Sequence, residues 1–347
     1  MTKTNPLAQS NYLPVRDDWL ARRTEPILEP ALPIVDPHHH LWERSDWVYM
    51  LDDLLADINS GHNIVATVFV QCRAMHRASG PEAFRPVGET EFVNGVAAMS
   101  ASGGYGPAKI CHGIVGHVDL RLGDEARAVL EAHIRAGGGR FRGIRHITAW
   151  DADQSLMNPA YAPPPRLMYD EAFRKGFACL APLNLSFDAW LYHPQIGDLT
   201  DLAKAFPGTQ ICLDHVGGPL GIGPYAGKRD EIFAEWSKSI RALSTCPNVV
   251  VKLGGLAMKI NGWDFHEKAE PPSSQELATA WKPYVDTCIE AFGASRCMFE
   301  SNFPVDKGSY SYQAYWNACK ILATGASAAE KAALFSGTAA RFYRLDI

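Results

Sequence analysis

The stretch IVDPHHHLW, residues 34–42, is an apolar run that closes on three consecutive histidines. It predicts a buried strand, and strand alternation would place Asp36, His38 and His40 on one face and His39 on the other. Two imidazoles two residues apart on a strand can converge on one metal ion or one substrate oxygen. We therefore expect a functional site where this strand ends.

Seven further apolar runs follow at intervals, and helix-compatible sequence separates them. They are residues 64–72, 111–120, 140–148, 185–192, 209–217, 248–256 and 296–304. Eight alternating strand and helix units are the pattern of a closed parallel barrel, so we predict a (β/α)8 barrel. An open doubly wound sheet would usually show a Gly-rich phosphate turn after the first strand, where this chain has histidines.

The polar first segment of the chain precedes this pattern and is interrupted by five prolines. We assign residues 1–33 to an N-terminal arm that wraps the domain or a neighbouring subunit, and residues 34–347 to the barrel. The arm is a reason to consider a homodimer.

Composition narrows the class of protein. The chain has 347 residues, 47% of them hydrophobic, and a formal net charge of −5. The absence of a basic tract argues against nucleic acid as a partner, and the absence of a long apolar run argues against a membrane span. The eight cysteines form no CxxC pair, and the N-terminus has no apolar signal core. We expect a cytoplasmic enzyme that acts on a small molecule.

Active sites of such barrels lie at the C-terminal ends of the strands, so the last residues of each run are candidates. His193 directly follows the fifth run, His215 lies near the end of the sixth, and both are candidate catalytic imidazoles. Arg145, at the end of the fourth run, and Arg73, after the second, are candidates for binding an anionic substituent. Lys252 lies inside the seventh run, where a buried lysine is either functional or paired with a carboxylate, and we include it among the candidate substrate-binding residues.

Two long segments, residues 149–168 and 257–275, follow the fourth and seventh runs. Loops of this length on this side of a barrel are usually lids or binding loops. We expect Trp42, Trp190 and Tyr192 to form an apolar wall of the substrate pocket.

Four motifs together resemble the amidohydrolase-2 family, and within it the lactone hydrolases. They are DPHHH (36–40), GIRH (143–146), LDHVGGP (213–219) and MFESNFP (298–304). The resemblance covers about residues 31–345 and implies a TIM barrel in which water attacks an ester carbonyl. It also implies zinc in some members, whereas other members act without it.

The eighth strand departs from that family, whose pattern there has an aspartate that activates water. Asn302 stands at that position, and an amide cannot accept a proton from water at neutral pH. We predict that the carboxylate has moved to Glu300, as base or metal ligand, with Asn302 orienting water or substrate. Asp306 is the rival base.

The leading prediction is a hydrolase that opens a lactone or related cyclic ester. His38 and His40, with His193 or His215, would polarise the carbonyl directly or through a divalent metal. That metal, zinc for preference, would be held by His38 and His40, with His193 and Glu300 as further ligands. The alternatives are a decarboxylase or hydratase on the same barrel and a catalytically silent barrel that binds a small molecule.

Overall fold

The computed structural model describes residues 12–44 and 47–347. Eight parallel strands form one sheet in the order β1-β4-β5-β6-β7-β8-β9-β10, and β2 and β3 form a separate antiparallel hairpin. The strands are β1 Pro33–His39, β2 Trp42–Arg44, β3 Trp47–Tyr49, β4 Asn63–Val70, β5 Lys109–Gly116, β6 Phe141–Arg145, β7 Ser186–Ala189, β8 Ile211–Leu213, β9 Val249–Leu253 and β10 Cys297–Phe299.

Backbone hydrogen bonds between the first strand and the segment after β10 join the two edges of the sheet. The His40 amide donates to the Phe303 carbonyl at 2.8 Å, and the Asn302 amide donates to the His38 carbonyl at 3.0 Å. The predicted (β/α)8 barrel is confirmed. The observed strands stop before the predicted runs do, because the last residues of those runs form turns at the barrel rim.

Helices lie between the strands and cover the outside of the barrel. They are α1 Asp17–Leu20, α2 Leu51–Ile58, α3 Val87–Ala101, α4 Ala126–Ala136, α5 Glu171–Ala178, α6 Ile196–Ala205, α7 Arg229–Leu243, α8 Ser274–Phe292, α9 Tyr312–Leu322, α10 Ala328–Ala332 and α11 Thr338–Phe342. No helix within the described residues is both long and apolar enough to cross a membrane.

Strand alternation sorts the apolar side chains of the barrel strands into two clusters. Val35, Val68 and Val115 belong to a small cluster inside the barrel, whereas Ile34 and Phe69 belong to the large cluster between strands and helices. β-branched side chains suit the crowded interior of an eight-stranded barrel. The interior is therefore packed, and a ligand can enter only at its ends.

The C-terminal segment closes the end of the barrel opposite the histidines. Phe342, Tyr343 and Leu345 pack in the same cluster as Val35 and Val68. The Tyr343 hydroxyl donates to Asp188 on β7 at 2.6 Å and so reaches the polar centre of the barrel.

The described part of the arm, residues 12–32, packs on its own barrel. Trp19 Nε1 donates to the Lys268 carbonyl at 3.0 Å, and the Ser274 amide donates to Glu25 Oε1 at 2.9 Å. These contacts tie the arm to the loop after β9 and to the start of α8. Residues 1–11 lie outside the described residues, and the homodimer stays a prediction.

Candidate active site

A narrow pocket of about 80 Å³ opens at the C-terminal ends of the strands. Its lining side chains are Tyr12, His40, Cys72, Arg145, Ile147, Ala149, Leu156, Asn158, Tyr161, Trp190, Tyr192, His215, Met258, Ile260, Asn302 and Val305. Both long loops contribute, residues 149–168 through Leu156, Asn158 and Tyr161, and residues 257–275 through Met258 and Ile260. This is where barrel enzymes carry their sites.

The first strand does not keep the predicted alternation. Its pairing with β4 shifts between Asp36 and His39, so three steps along β1 match two along β4. Such a bulge re-aims the side chains that follow it. Asp36 bonds on the helix side, to the Ser301 hydroxyl at 2.6 Å and the Tyr312 hydroxyl at 2.9 Å. The prediction that Asp36 shares a face with His38 is therefore wrong. Asp36 stabilises the strand from the side that faces the helices.

Three buried imidazoles meet at the pocket. The ring centroid of His38 lies 5.0 Å from that of His40 and 4.6 Å from that of His215. His40 Nδ1 lies 2.7 Å from the Val70 carbonyl oxygen, which can only accept, so the proton of that ring is on Nδ1. Burial, followed by the charge of Arg145, holds the pKa of His40 well below its ordinary value, so the ring is neutral.

Glu300 bridges the other two imidazoles. Its Oε2 lies 2.7 Å from Nδ1 of His38, and its Oε1 lies 2.6 Å from Nδ1 of His215. The His215 amide also donates to Oε1 at 3.1 Å. Burial alone would raise the pKa of this carboxyl, but the two imidazoles lower it below its ordinary value. Glu300 is thus an ionised carboxylate that fixes the Nδ1–H form of both rings.

Arg145 lies on the other side of His38 and lines the pocket. One guanidinium nitrogen lies 3.2 Å from His38 Nε2, and the other donates to the Gln71 carbonyl at 2.5 Å. Arginine can only donate, so His38 Nε2 carries a lone pair, in agreement with its Nδ1–H facing Glu300. Arg145 Nε has no hydrogen-bond partner among the described side chains and backbone. A buried N–H without a partner requires an explanation, and a catalytic role is one.

A charge network lies beneath His38, inside the barrel. Lys252 Nζ is 2.7 Å from Asp188, 3.0 Å from Asp214 and 3.1 Å from His38 Nδ1. The lysine is fully buried, as is each carboxylate, so the charges compensate one another. The predicted pairing of Lys252 with a carboxylate is borne out by these contacts. Its predicted role in substrate binding is not, because it does not line the pocket.

The turn after β8 aims His215 at the pocket. His215 and Val216 have φ of 55° and 48°, in the left-handed region that β-branched residues rarely adopt. Gly255, after β9, makes room for the ring: a Cβ there would lie 2.3 Å from His215 Nδ1. Backbone strain held by close packing is common at functional sites.

The residues present allow a test of the predicted metal site. His38, Asp214 and His215 offer ligand atoms within 4.8 Å of one another, a group that could hold a metal ion. However, the ammonium of Lys252 and the guanidinium of Arg145 already contact His38 on its two ring nitrogens. A dication bound to His38 would meet two fixed positive charges. The donors fit a metal, but their charged surroundings do not.

Several predicted site residues lie elsewhere. His193 accepts from the Leu220 amide at 3.3 Å and is not in the pocket lining, so it is not the third imidazole. Trp42 stacks on His40 with ring centroids 5.7 Å apart and supports that ring without lining the pocket. Arg73 is exposed in a neighbouring groove.

Asp306 is also outside the pocket lining. It is buried and accepts from the Tyr310 hydroxyl at 2.9 Å, and burial raises the pKa of its carboxyl to about 7. The structure brings His40, His215, Arg145 and Asn302 together in the lining, with Trp190 and Tyr192 as the predicted wall.

Sequence reasoning missed Asp214, Gln71 and Tyr12. Asp214 stands within the quoted LDHVGGP motif, one residue before His215, so its signal was present. Gln71 follows β4, and its side-chain amide has no partner among the described residues, which marks it as a candidate for ligand contact. Tyr12 reaches the pocket from the arm, and no local pattern indicates that contact.

Comparison with known proteins agrees with the fold. The family model described as "Amidohydrolase" matches residues 35–345. The uncharacterized protein y4mH of Sinorhizobium fredii is 34% identical over 336 residues, which cover 90% of this chain and 99% of y4mH. An L-fucono-1,5-lactonase of Burkholderia multivorans is 27% identical over 326 residues, covering 90% of this chain and 96% of the lactonase.

A solved structure of an amidohydrolase from Burkholderia multivorans with bound Zn superposes with a TM-score of 0.68 at 27% identity. The superposition covers 90% of this chain and 99% of that one. The chain therefore belongs to the amidohydrolase family.

Proposed function

We propose that this protein hydrolyses a lactone or a related cyclic ester of a small carboxylated or hydroxylated metabolite. The observation that carries the proposal is the Glu300–His215 pair at the pocket, beside the buried guanidinium of Arg145. The similarity to L-fucono-1,5-lactonases supports the lactone as substrate class.

His215 is the proposed base. Its Nδ1 faces Glu300, so in the neutral form of the ring the lone pair is on Nε2, and His215 lines the pocket. Nε2 takes a proton from water while the water oxygen bonds to the ester carbonyl carbon. When the ring C–O bond breaks, the imidazolium returns the proton to the leaving alkoxide, which gives a hydroxy acid. Glu300 stabilises the imidazolium, as a carboxylate does beside a catalytic histidine.

Arg145 is the proposed electrophile. The carbonyl oxygen becomes negative in the tetrahedral intermediate and needs donors within a dry site. Neutral His38 and His40 cannot supply them, because the proton of each ring is on Nδ1 and bonded elsewhere. The unpartnered Arg145 Nε–H can. In this proposal Arg145, and not the histidines, polarises the carbonyl. His40 accepts a hydrogen bond from water or from a substrate hydroxyl.

The relocated-carboxylate hypothesis changes accordingly. Glu300 Oε1 accepts from Nδ1 of His215, Oε2 lies 2.7 Å from Nδ1 of His38, and neither Glu300 nor Asp306 lines the pocket. Glu300 thus supports the base and is not the base itself. Asn302, which lines the pocket and whose Nδ2 has no partner among the described residues, is suited to orient substrate or water.

The test is turnover of a panel of five- and six-membered lactones by purified protein, followed as proton release and as hydroxy acid by NMR. We expect turnover of at least one lactone, lost in His215→Asn and retained in the control His266→Asn, a partly exposed histidine outside the pocket lining. Carbon dioxide release or hydration of an alkene by the same preparation, without ester opening, would favour the alternative reactions. Binding of lactones without any product would favour the alternative of a barrel that binds a small molecule without catalysis.

The second part of the experiment tests whether activity depends on a metal. We propose that Arg145 and Lys252 supply the positive charge that a zinc ion would otherwise supply, so activity should survive chelation and dialysis. Metal content is measured on the same sample before and after treatment. Zinc near one equivalent per chain, with activity lost on chelation and restored by zinc, would overturn metal-independent action.

A further inference from the structure

We propose that a groove beside the pocket binds an anionic substituent of the substrate, a carboxylate or phosphate, while the ester occupies the pocket. The inference rests on the proposed function and extends it to the substrate class. The groove lies at the ends of β4, β5 and β6, and its lining includes Arg73, Arg85, His117 and His146.

The groove and the pocket are neighbours. Ile147 and Tyr161 line both, so the two spaces adjoin at these side chains. The groove has a volume of about 830 Å³ and the pocket only about 80 Å³. The pocket can therefore receive the reacting ring of a substrate, whereas any extended substituent has its space in the groove.

The groove is positively charged although the chain as a whole is negative. Its lining has four arginines against two carboxylates, Glu82 and Asp119, in a chain of net charge −5. Asp119 is already paired with Arg121 at 2.7 Å. A concave surface of one sign attracts ligands of the opposite sign.

Two of these arginines have no carboxylate partner within the described residues. Arg73 and Arg85 are both exposed, and neither forms an ion pair there. The Arg73 guanidinium lies over the ring of Tyr161, 5.6 Å from its centroid, at the boundary between groove and pocket. Guanidinium groups are suited to carboxylate and phosphate, which they can bind through two parallel hydrogen bonds.

Imidazoles add a neutral donor and a link to the pocket. His146 Nδ1 accepts from the Leu120 amide at 3.2 Å, so the proton of the neutral ring is on Nε2 and is free to donate. His117 Nδ1 donates to the Arg145 carbonyl at 3.1 Å. The groove wall and the proposed electrophile are thus joined by one hydrogen bond.

The test compares two lactones, δ-valerolactone and a δ-valerolactone with a carboxyalkyl substituent. Arg73→Gln/Arg85→Gln should lower kcat/KM for the carboxylated lactone by about tenfold to hundredfold, the range for hydrogen bonds to a charged group. It should leave kcat/KM for the neutral lactone unchanged. The matched control Arg127→Gln/Arg241→Gln removes the same charge from exposed surface pairs and should change neither value.

A binding measurement separates this inference from the proposed function. Glutarate, a dianion that cannot be hydrolysed, is titrated calorimetrically into the full chain and both double variants. Weaker binding in the Arg73/Arg85 variant alone supports the groove even if no lactone is turned over. Absence of glutarate binding to the unmodified protein, or equal loss in both double variants, overturns the inference whether or not lactones are hydrolysed.

Discussion

At the residue scale, the Glu300 carboxylate determines which nitrogen carries the proton in the imidazole rings of His38 and His215. Glu300 Oε1 accepts from Nδ1 of His215, Oε2 lies 2.7 Å from Nδ1 of His38, and both rings are buried beside it. A carboxylate offers two acceptor oxygens, which is what two N–H donors require. An isosteric amide offers only one, and its NH2 group would oppose the N–H of the other ring.

Glu300→Gln should therefore turn one imidazole to the other tautomer and remove the stabilisation of imidazolium. We expect kcat for lactone hydrolysis to fall by about 10²- to 10⁴-fold, the range for general base catalysis. Steady-state kinetics measure the effect, and near-ultraviolet circular dichroism checks that the variant is folded. The exposed carboxylate control Glu290→Gln should keep full activity, and a fully active Glu300→Gln would exclude the proposed dyad.

Asp306 gives a stability prediction with a definite sign. Burial raises the pKa of its carboxyl from 3.8 to about 7, so between these values the folded protein holds a proton that the unfolded chain has lost. The contribution of a group with a raised pKa is complete below the unfolded pKa and is lost as pH rises through the folded pKa.

Asp306→Asn cannot ionise. The stability of the variant relative to the unmodified protein should therefore increase from pH 5 to pH 8, by on the order of 3 kcal/mol. Urea unfolding at the two pH values measures it, with the partly exposed Asp286→Asn as the control that should show no such change. A relative stability that does not vary with pH would mean that Asp306 is ionised throughout.

At the element scale, the turns after β8 and β9 fit together at the pocket. Gly255 has φ of 62°, and a Cβ there would lie within 2.6 Å of three atoms of His215. Gly255→Ala should displace the ring and lower kcat by about tenfold or more, since small misplacements of catalytic groups are costly.

Gly227 is the matched control for that variant. Its φ is 74°, but a Cβ there meets nothing within 4 Å, so Gly227→Ala carries the backbone strain without the collision. Gly255→Ala should lose more stability than Gly227→Ala on thermal unfolding, because it adds the collision to the strain, and only Gly255→Ala should lose activity. Equal activities in the two variants would show that His215 tolerates the displacement.

Element order was predictable from sequence, and local geometry was not. Period-2 alternation predicted the strand at residues 34–42 but cannot show the bulge that turns Asp36 away from His38. Likewise, the pattern at the sixth run predicted a histidine at a turn but not the left-handed backbone of His215 and Val216. Both features depend on neighbouring strands, whose register no local window contains.

At the scale of the whole molecule, the barrel was predictable because its eight repeats each carry the same local signal. The network inside it was not. Asp188, Lys252 and Tyr343 come from β7, β9 and the C-terminal segment, and only closure of the barrel brings them together. The same holds for Glu300 and His38, which are far apart in sequence and meet where the first and last strands join.

The last prediction concerns the end of the barrel that the C-terminal segment closes. The Tyr343 hydroxyl donates to the Asp188 oxygen that also receives Lys252, and Tyr343 is fully buried. Tyr343→Phe removes one hydrogen bond to a charged group and should cost about 1–3 kcal/mol of unfolding free energy. Tyr343→Ala also leaves a cavity and should cost about 3–5 kcal/mol.

Urea unfolding of both variants measures these costs, and the exposed Tyr169→Phe should be neutral. We expect kcat to stay unchanged in Tyr343→Phe, because Lys252 keeps its contacts with Asp214 and His38. A folded Tyr343→Phe with a tenfold lower kcat would instead mean that the hydrogen bond from Tyr343 to Asp188 controls the charge network beneath His38. The catalytic unit would then extend through the full depth of the barrel, from the pocket to the C-terminal segment.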